Sequence, residues 1–296
     1  MKPSITRRKM IQDSATLALG TTVLMNSPFS MLGGNQQKQS RVILVRDEAL
    51  LDGAGKIDQN VLSKMLDEAL LKLTMVNSPA DAWRKIVMPD DVVGIKTNIW
   101  NALRTPPELE SILKSRVLEA GVKESNVSVN DRGVLNDPVF KRSTALINVR
   151  PMRAHAWSGV GSMIKNYIMF LPQPSSIHGD SCADLAQIWS QPGVKDKTRL
   201  NILVMITPLF HLVGTNFNKE YTWAYKGLVV GYDPVAVDAV GLQIIQAKRK
   251  DYFHEDRPLN PPAKHIALAD TRHHLGNADL SRIDLVKIGW SEASLV

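Results

Sequence analysis

Short apolar runs rich in β-branched residues alternate along this chain with longer stretches whose apolar positions recur every three or four residues. The runs fall at residues 41–46, 91–96, 126–130, 145–149, 200–206, 227–230 and 284–288, and each reads as a buried strand. Residues 58–75 place Val61, Leu62, Met65, Leu66, Ala69, Leu70 and Leu73 on one helical face. Further helices are expected over 107–120, stopped by Gly121, and over 234–247 and 262–275. Strands that alternate with helices in this way predict a single α/β domain: a largely parallel central sheet with helices on both faces. Ligands in such folds sit beyond the C-terminal ends of the strands. That singles out the irregular stretches 97–106, 131–143, 171–180 and 207–226.

The N-terminus has a different pattern. Thr6-Arg7-Arg8-Lys9-Met10-Ile11-Gln12 precedes a moderately apolar stretch from Ala15 to Met25. Paired arginines before a short apolar segment form a twin-arginine export signal. The segment is too short and too polar for a membrane span, which needs about 18–20 apolar residues. We therefore expect a signal or N-terminal anchor over 1–34, a polar linker over 35–40 and the α/β domain over 41–296. No Ala-x-Ala cleavage signature lies between Met25 and Gln37, so an uncleaved anchor stays open as the one membrane contact. The expected destination is the periplasm or the outer face of the cytoplasmic membrane.

Composition narrows the classes further. The 296 residues are 44% hydrophobic and 22% charged, the balance of a globular protein. Of the formal charge of +7, Lys2, Arg7, Arg8 and Lys9 against Asp13 supply +3 in the first 34 residues. The rest is an ordinary surface excess without a basic run interleaved with aromatics, so no nucleic-acid partner is expected. A single cysteine, Cys182, excludes an internal disulfide, a four-cysteine zinc site and a cysteine-ligated cluster built by this chain alone.

Three constellations carry candidate chemistry. In Gly94-Ile-Lys96-Thr-Asn98 a cation and an amide leave one strand two residues apart, on the same side, where they could hold an anion. The plainer alternative has Lys96 snorkelling at a sheet edge and Asn98 turning the chain. Ser158-Gly-Val-Gly-Ser162 before Met163-Ile-Lys165-Asn166 lets backbone approach a ligand, but it has neither P-loop nor dinucleotide spacing. A glycine turn ahead of a core helix explains it equally well. In Gly231-Tyr-Asp233-Pro-Val-Ala-Val-Asp238, Asp233 suits an N-cap and Pro234 the first helical position. Asp238 lies on an otherwise apolar helix and needs a partner, for which Lys96 or Lys165 is the natural expectation. His178 precedes a helix, and no histidine shows metal-motif spacing.

Together these segments resemble the DUF362 family, a group of bacterial and archaeal α/β proteins of poorly defined function. The resemblance rests on Asp91-Val-Val-Gly-Ile-Lys96-Thr-Asn98, on Met163-Ile-Lys165-Asn166 with His178 downstream, and on Gly231-Tyr-Asp233-Pro-Val-Ala-Val-Asp238-Ala-Val-Gly241. The segments His265 to Gly276 and Ile283 to Gly289 are similar to the family's closing helix, turn and strand, so the likeness spans roughly residues 40–290. Two departures stand out. Many relatives carry a cysteine-rich ferredoxin-like segment that this chain lacks, and relatives often place an aspartate after the central strand where this chain reads Ile206-Thr207-Pro208.

The expectation is a cleft gathering Lys96, Asn98, Lys165, Asn166 and Asp233 for binding, with His178 and Asp238 in catalytic roles. Its ligand is a small anionic molecule or cofactor of unspecified identity, and the protein is an enzyme or cofactor-dependent accessory protein. One alternative is a non-catalytic accessory or assembly protein partnering envelope redox complexes. Another is a divalent-metal protein using His178, Asp180 and a distant aspartate.

Overall fold

The computed structural model describes residues 39–296. Eight strands form one sheet: β1 (Ser40–Arg46), β2 (Val93–Lys96), β3 (Val127–Asn130), β4 (Ala145–His155), β5 (Gly159–Gly161), β6 (Thr198–Leu209), β7 (Gly227–Gly231) and β8 (Ile283–Gly289). Their order is β3-β2-β4-β6-β7-β1-β8, with β5 folded back on the end of β4. Six strands run in one direction; β7 is antiparallel to both neighbours, as is β5 to β4. The reversal at β7 has a plain cause. A parallel return needs a long crossover, usually a helix, whereas residues 210–226 supply only a loop with one 3-10 turn. The α/β class with a mostly parallel sheet thus holds.

Strand alternation assigns the two faces. Ile43, Val45, Ile95, Ile147, Val149, Ile202, Val204, Leu228 and Val230 pack on one side. There they meet α1 (Gln59–Thr74), α2 (Pro79–Ile86) and α3 (Pro107–Glu119). Val42, Leu44, Leu146, Met152, Leu203, Met205 and Val229 point the other way. That second face is covered by the one-turn helix α4 (Met163–Asn166), by α5 (Pro234–Phe253) and by α6 (Lys264–Thr271). Asp58 starts α1 by accepting from the N–H groups of Asn60 and Val61.

Several boundaries differ from the sequence reading. Helix α2, capped by Ser78 with Pro79 in its first turn, escaped periodicity because eight residues span barely two turns. Strands β4 and β6 run longer than their apolar runs, through Arg150 and Arg153 in one and Thr207 and Pro208 in the other. Helix α5 continues to Phe253, and Ser40, expected in the linker, opens β1. Among the described residues no helix is long and apolar enough to cross a membrane. Arg7, Arg8 and the stretch behind them lie outside the described residues.

Candidate anion site

On the second sheet face a row of polar side chains interrupts the apolar layer. Lys96 of β2 is in register with Asn148 of β4, which is in register with Asn201 of β6. All three are fully buried. Such groups are tolerated only when hydrogen-bonded, and here they form one connected chain. Asn201 Nδ2 donates to the Tyr232 carbonyl at 2.9 Å, and Asn148 Nδ2 donates to Asn201 Oδ1 at 3.0 Å. Asn166 Nδ2, arriving from α4, donates to Asn148 Oδ1 at 2.8 Å. Lys96 Nζ donates to Asp131 Oδ1 at 2.5 Å, to the Thr97 carbonyl at 2.7 Å and more weakly to Asn166 Oδ1 at 3.4 Å. Asp131, just past β3, also accepts from the Ile99 N–H at 3.0 Å.

This network floors a cavity of about 280 Å³, lined by residues from the ends of several strands. That volume is at the small end of ligand sites, roughly 300–1,000 Å³. Cationic side chains dominate the walls: Arg150 and Arg153 from β4 and Lys165 from α4. The register of β4 on β6 shifts between Pro151 and Arg153. Bulges of this kind re-aim the side chains beyond them, and Arg150, Arg153 and His155 all reach the same space. Arg153 also lies over the Trp100 ring, 3.8 Å from its centroid, while the His178 ring sits 4.7 Å from that of Trp157.

The electrostatics are lopsided. Lys96, Arg150, Arg153 and Lys165 are buried, against two buried carboxylates, Asp131 and Asp238. Burial drives both guanidinium pKa values down, and the Arg150 charge adds to this at Arg153; Asp131 draws both back, as Asp238 does for Arg150. Arginine keeps its proton in proteins, so a counter-charge, not deprotonation, is what relieves this pair. Lys165 is pushed down to about 8, mainly by burial, with Arg150 and Arg153 adding to it. Burial and the surrounding cations depress His155 to about 2, so that ring is neutral. His178 is lowered by burial and by the Lys165 charge. The Nε–H groups of Arg150 and Arg153 have no hydrogen-bond partner among the described residues.

The expected site residues separate into two groups. Asn98, Lys165, Asn166 and His178 line the cavity. Lys96 lies beneath it, tied to Asp131 and Asn166. Asp233 sits elsewhere, capping α5 through the N–H groups of Val235 and Ala236 and accepting from Ser40 Oγ at 2.6 Å. Asp238 is fully buried, and its partner corrects the expectation of a lysine. Its two oxygens accept from the Met163 and Ile164 N–H groups at 2.7 and 3.0 Å, at the start of α4. Free amides at a helix start satisfy a carboxylate without a cation. Burial raises Asp238 to about 7 against the pull of these amides and of the Arg150 charge.

Sequence reasoning missed Arg150, Arg153, His155 and Asp131. The first three lie in a stretch, Arg150-Pro-Met-Arg153-Ala-His155, that places basic residues among apolar ones immediately after an apolar run, which was the available signal. Among the described residues no group of three or more His, Cys, Asp or Glu could hold a metal ion. Asp180, invoked for the metal reading, instead pairs with Lys264. A larger hollow of about 610 Å³ adjoins through His155, but its buried arginine is already engaged. Arg249 donates to the carbonyls of Phe210, Arg257 and Pro258.

The cavity walls come from β4, α4 and the loops around them, together with the loops after β2 and β3. No curated protein and no solved structure matches the chain. The stretch that supplies Asp131, Arg150, Arg153, Lys165, Asn166 and His178, residues 124–243, matches the family model described as Domain of unknown function (DUF362), which supports the kinship read from the motifs over that span.

Proposed function

We propose that the protein binds a small anionic metabolite, preferably a dianion, in the cavity walled by Arg150, Arg153 and Lys165. We also propose that Arg7-Arg8 sends it through the twin-arginine route to the periplasm or the outer face of the cytoplasmic membrane. The observation that carries the binding reading is the pair of buried arginine Nε–H groups without partners among the described residues, at a cavity lined by Arg132, Arg150, Arg153 and Lys165 whose one lining carboxylate, Asp131, is paired with Lys96. An unpaired buried charge costs several kcal/mol. A ligand of two negative charges would offset much of this excess, and forked guanidinium groups suit carboxylate and phosphate oxygens. Asn98 and Asn166 border the same space and would orient the ligand, while the neutral His178 ring could take a proton from it.

Calorimetric titration with inorganic phosphate, using chloride as the control anion, tests this. Arg153→Gln should weaken phosphate binding about 10- to 100-fold, the worth of a hydrogen bond to a charged group. Affinity should fall as pH rises through about 8, because Lys165 then loses the proton that an anion favours. Phosphate and simple dicarboxylates that leave the protein unaffected would remove the anion site and favour the accessory-protein reading.

A further inference from the structure

The two buried lysines of this site are not equivalent. Lys96 is fully buried and held by Asp131, the Thr97 carbonyl and Asn166, so all three of its donors are spent on structure. Lys165 lines the cavity at 3% exposure and has no carboxylate within ion-pair reach among the described residues. Its one hydrogen-bond partner there is the Cys182 sulfur at 3.5 Å. That sulfur is placed by three successive left-handed residues, Asp180, Ser181 and Cys182, with φ of 49°, 54° and 62°. Side chains other than glycine disfavour this conformation, so the surrounding packing must impose the turn. The result is an amine at the wall of a cationic pocket, sharing it with two arginines whose Nε–H groups have no partner among the described residues, and within charge range of His178.

Resting on the anion-binding reading, we propose that Lys165 is a nucleophile that captures a carbonyl compound bearing an anionic group, as an imine. Arg150 and Arg153 would grip the carboxylate or phosphate and hold the carbonyl carbon against Nζ. The nitrogen lone pair forms the C–N bond while the carbonyl π electrons move to oxygen. The oxygen then leaves as water, carrying in net the two N–H protons of the amine, with His178 relaying them. No oxidant or reductant enters. Nearby cations are a known means of keeping a lysine amine unprotonated. With Lys165 near 8, its free-amine fraction at neutral pH is on the order of a hundredfold above that of an ordinary lysine.

Reductive trapping tests the proposal on the full chain. The protein is incubated with pyruvate or with glycolaldehyde phosphate in cyanoborohydride, and the modified lysines are located by peptide mass spectrometry. Lys165 should carry the reduced adduct in one or both arms, at least about tenfold above any exposed lysine given its larger amine fraction, and inorganic phosphate should suppress it. The arm that labels it distinguishes a carboxylate from a phosphate ligand. Lys165→Arg should abolish the adduct while thermal unfolding shows the variant folded. Labels confined to exposed lysines, or a Lys165 label indifferent to phosphate, would overturn the proposal. If phosphate binds calorimetrically in that case, the anion site stands and the imine alone falls; if phosphate does not bind, both readings fall.

Discussion

Asp238 shows how one side chain can be strongly constrained without touching the cavity. Its carboxyl closes two backbone donors at the start of α4, the turn that delivers Lys165 and Asn166. Replacement by alanine leaves both N–H groups buried and unsatisfied, so Asp238→Ala should lower stability by about 2–4 kcal/mol. Asp238→Asn, which keeps one acceptor, should lose less than half as much; equal losses in denaturant unfolding would reject this account. The pH dependence has a definite sign. Asp238 titrates near 7 in the folded state and near 3.8 when free. Between those values the native state holds a proton that the unfolded state has released. The contribution of Asp238 is therefore full in acid and is lost as pH rises through about 7. Asp238→Asn should flatten that part of the stability profile.

At the scale of elements, the cap of α5 ties both ends of the domain together. Asp233 caps the helix, accepts from Ser40 Oγ at the start of β1 and accepts from the Asn277 N–H at 2.8 Å. A Cβ on Gly276 would collide with the Asp233 carboxylate, which is why this close approach takes glycine. Gly276→Ala should displace the cap and cost about 1–3 kcal/mol, a cap plus a shared hydrogen bond. A denaturant midpoint unchanged from the parent would show that the carboxylate can move aside freely. Because Asp233 lies away from the cavity, phosphate affinity should survive any variant that still folds. The irregular register of β4 works in the opposite direction. It brings cations to the cavity at the expense of the regular ladder.

At the scale of the whole molecule, charge and address belong to different parts of the chain. The basic excess of the first 34 residues lies in the proposed export signal, whereas the cations of the proposed site are a few buried residues within a nearly balanced surface. Lysine in place of both Arg7 and Arg8 keeps the charge and removes the guanidinium pair. This variant should accumulate in the cytoplasm, as measured by cell fractionation; export at the parental level would reject the twin-arginine assignment. The folded domain should retain phosphate binding in either compartment.

Periodicity alone determined the layered architecture. Seven of the eight strands and the longest helices follow from where apolar residues recur, because burying one face of a strand or helix imposes its period on the sequence. The motif around Asp233 likewise specified a helix start, since capping is a local interaction between residues two or three apart. Lys165, Asn166, Asn98 and His178 were legible as polar residues beside turns. Their assembly was not, because Lys96, Asn148 and Asn201 meet only through strand pairing across more than 100 residues of chain. Nor could the sequence separate a structural Lys96 from a cavity-lining Lys165, or give Asp238 two amides in place of a lysine. Those distinctions depend on which groups are within a few ångströms after folding and on how much water is excluded, and both are set by tertiary packing.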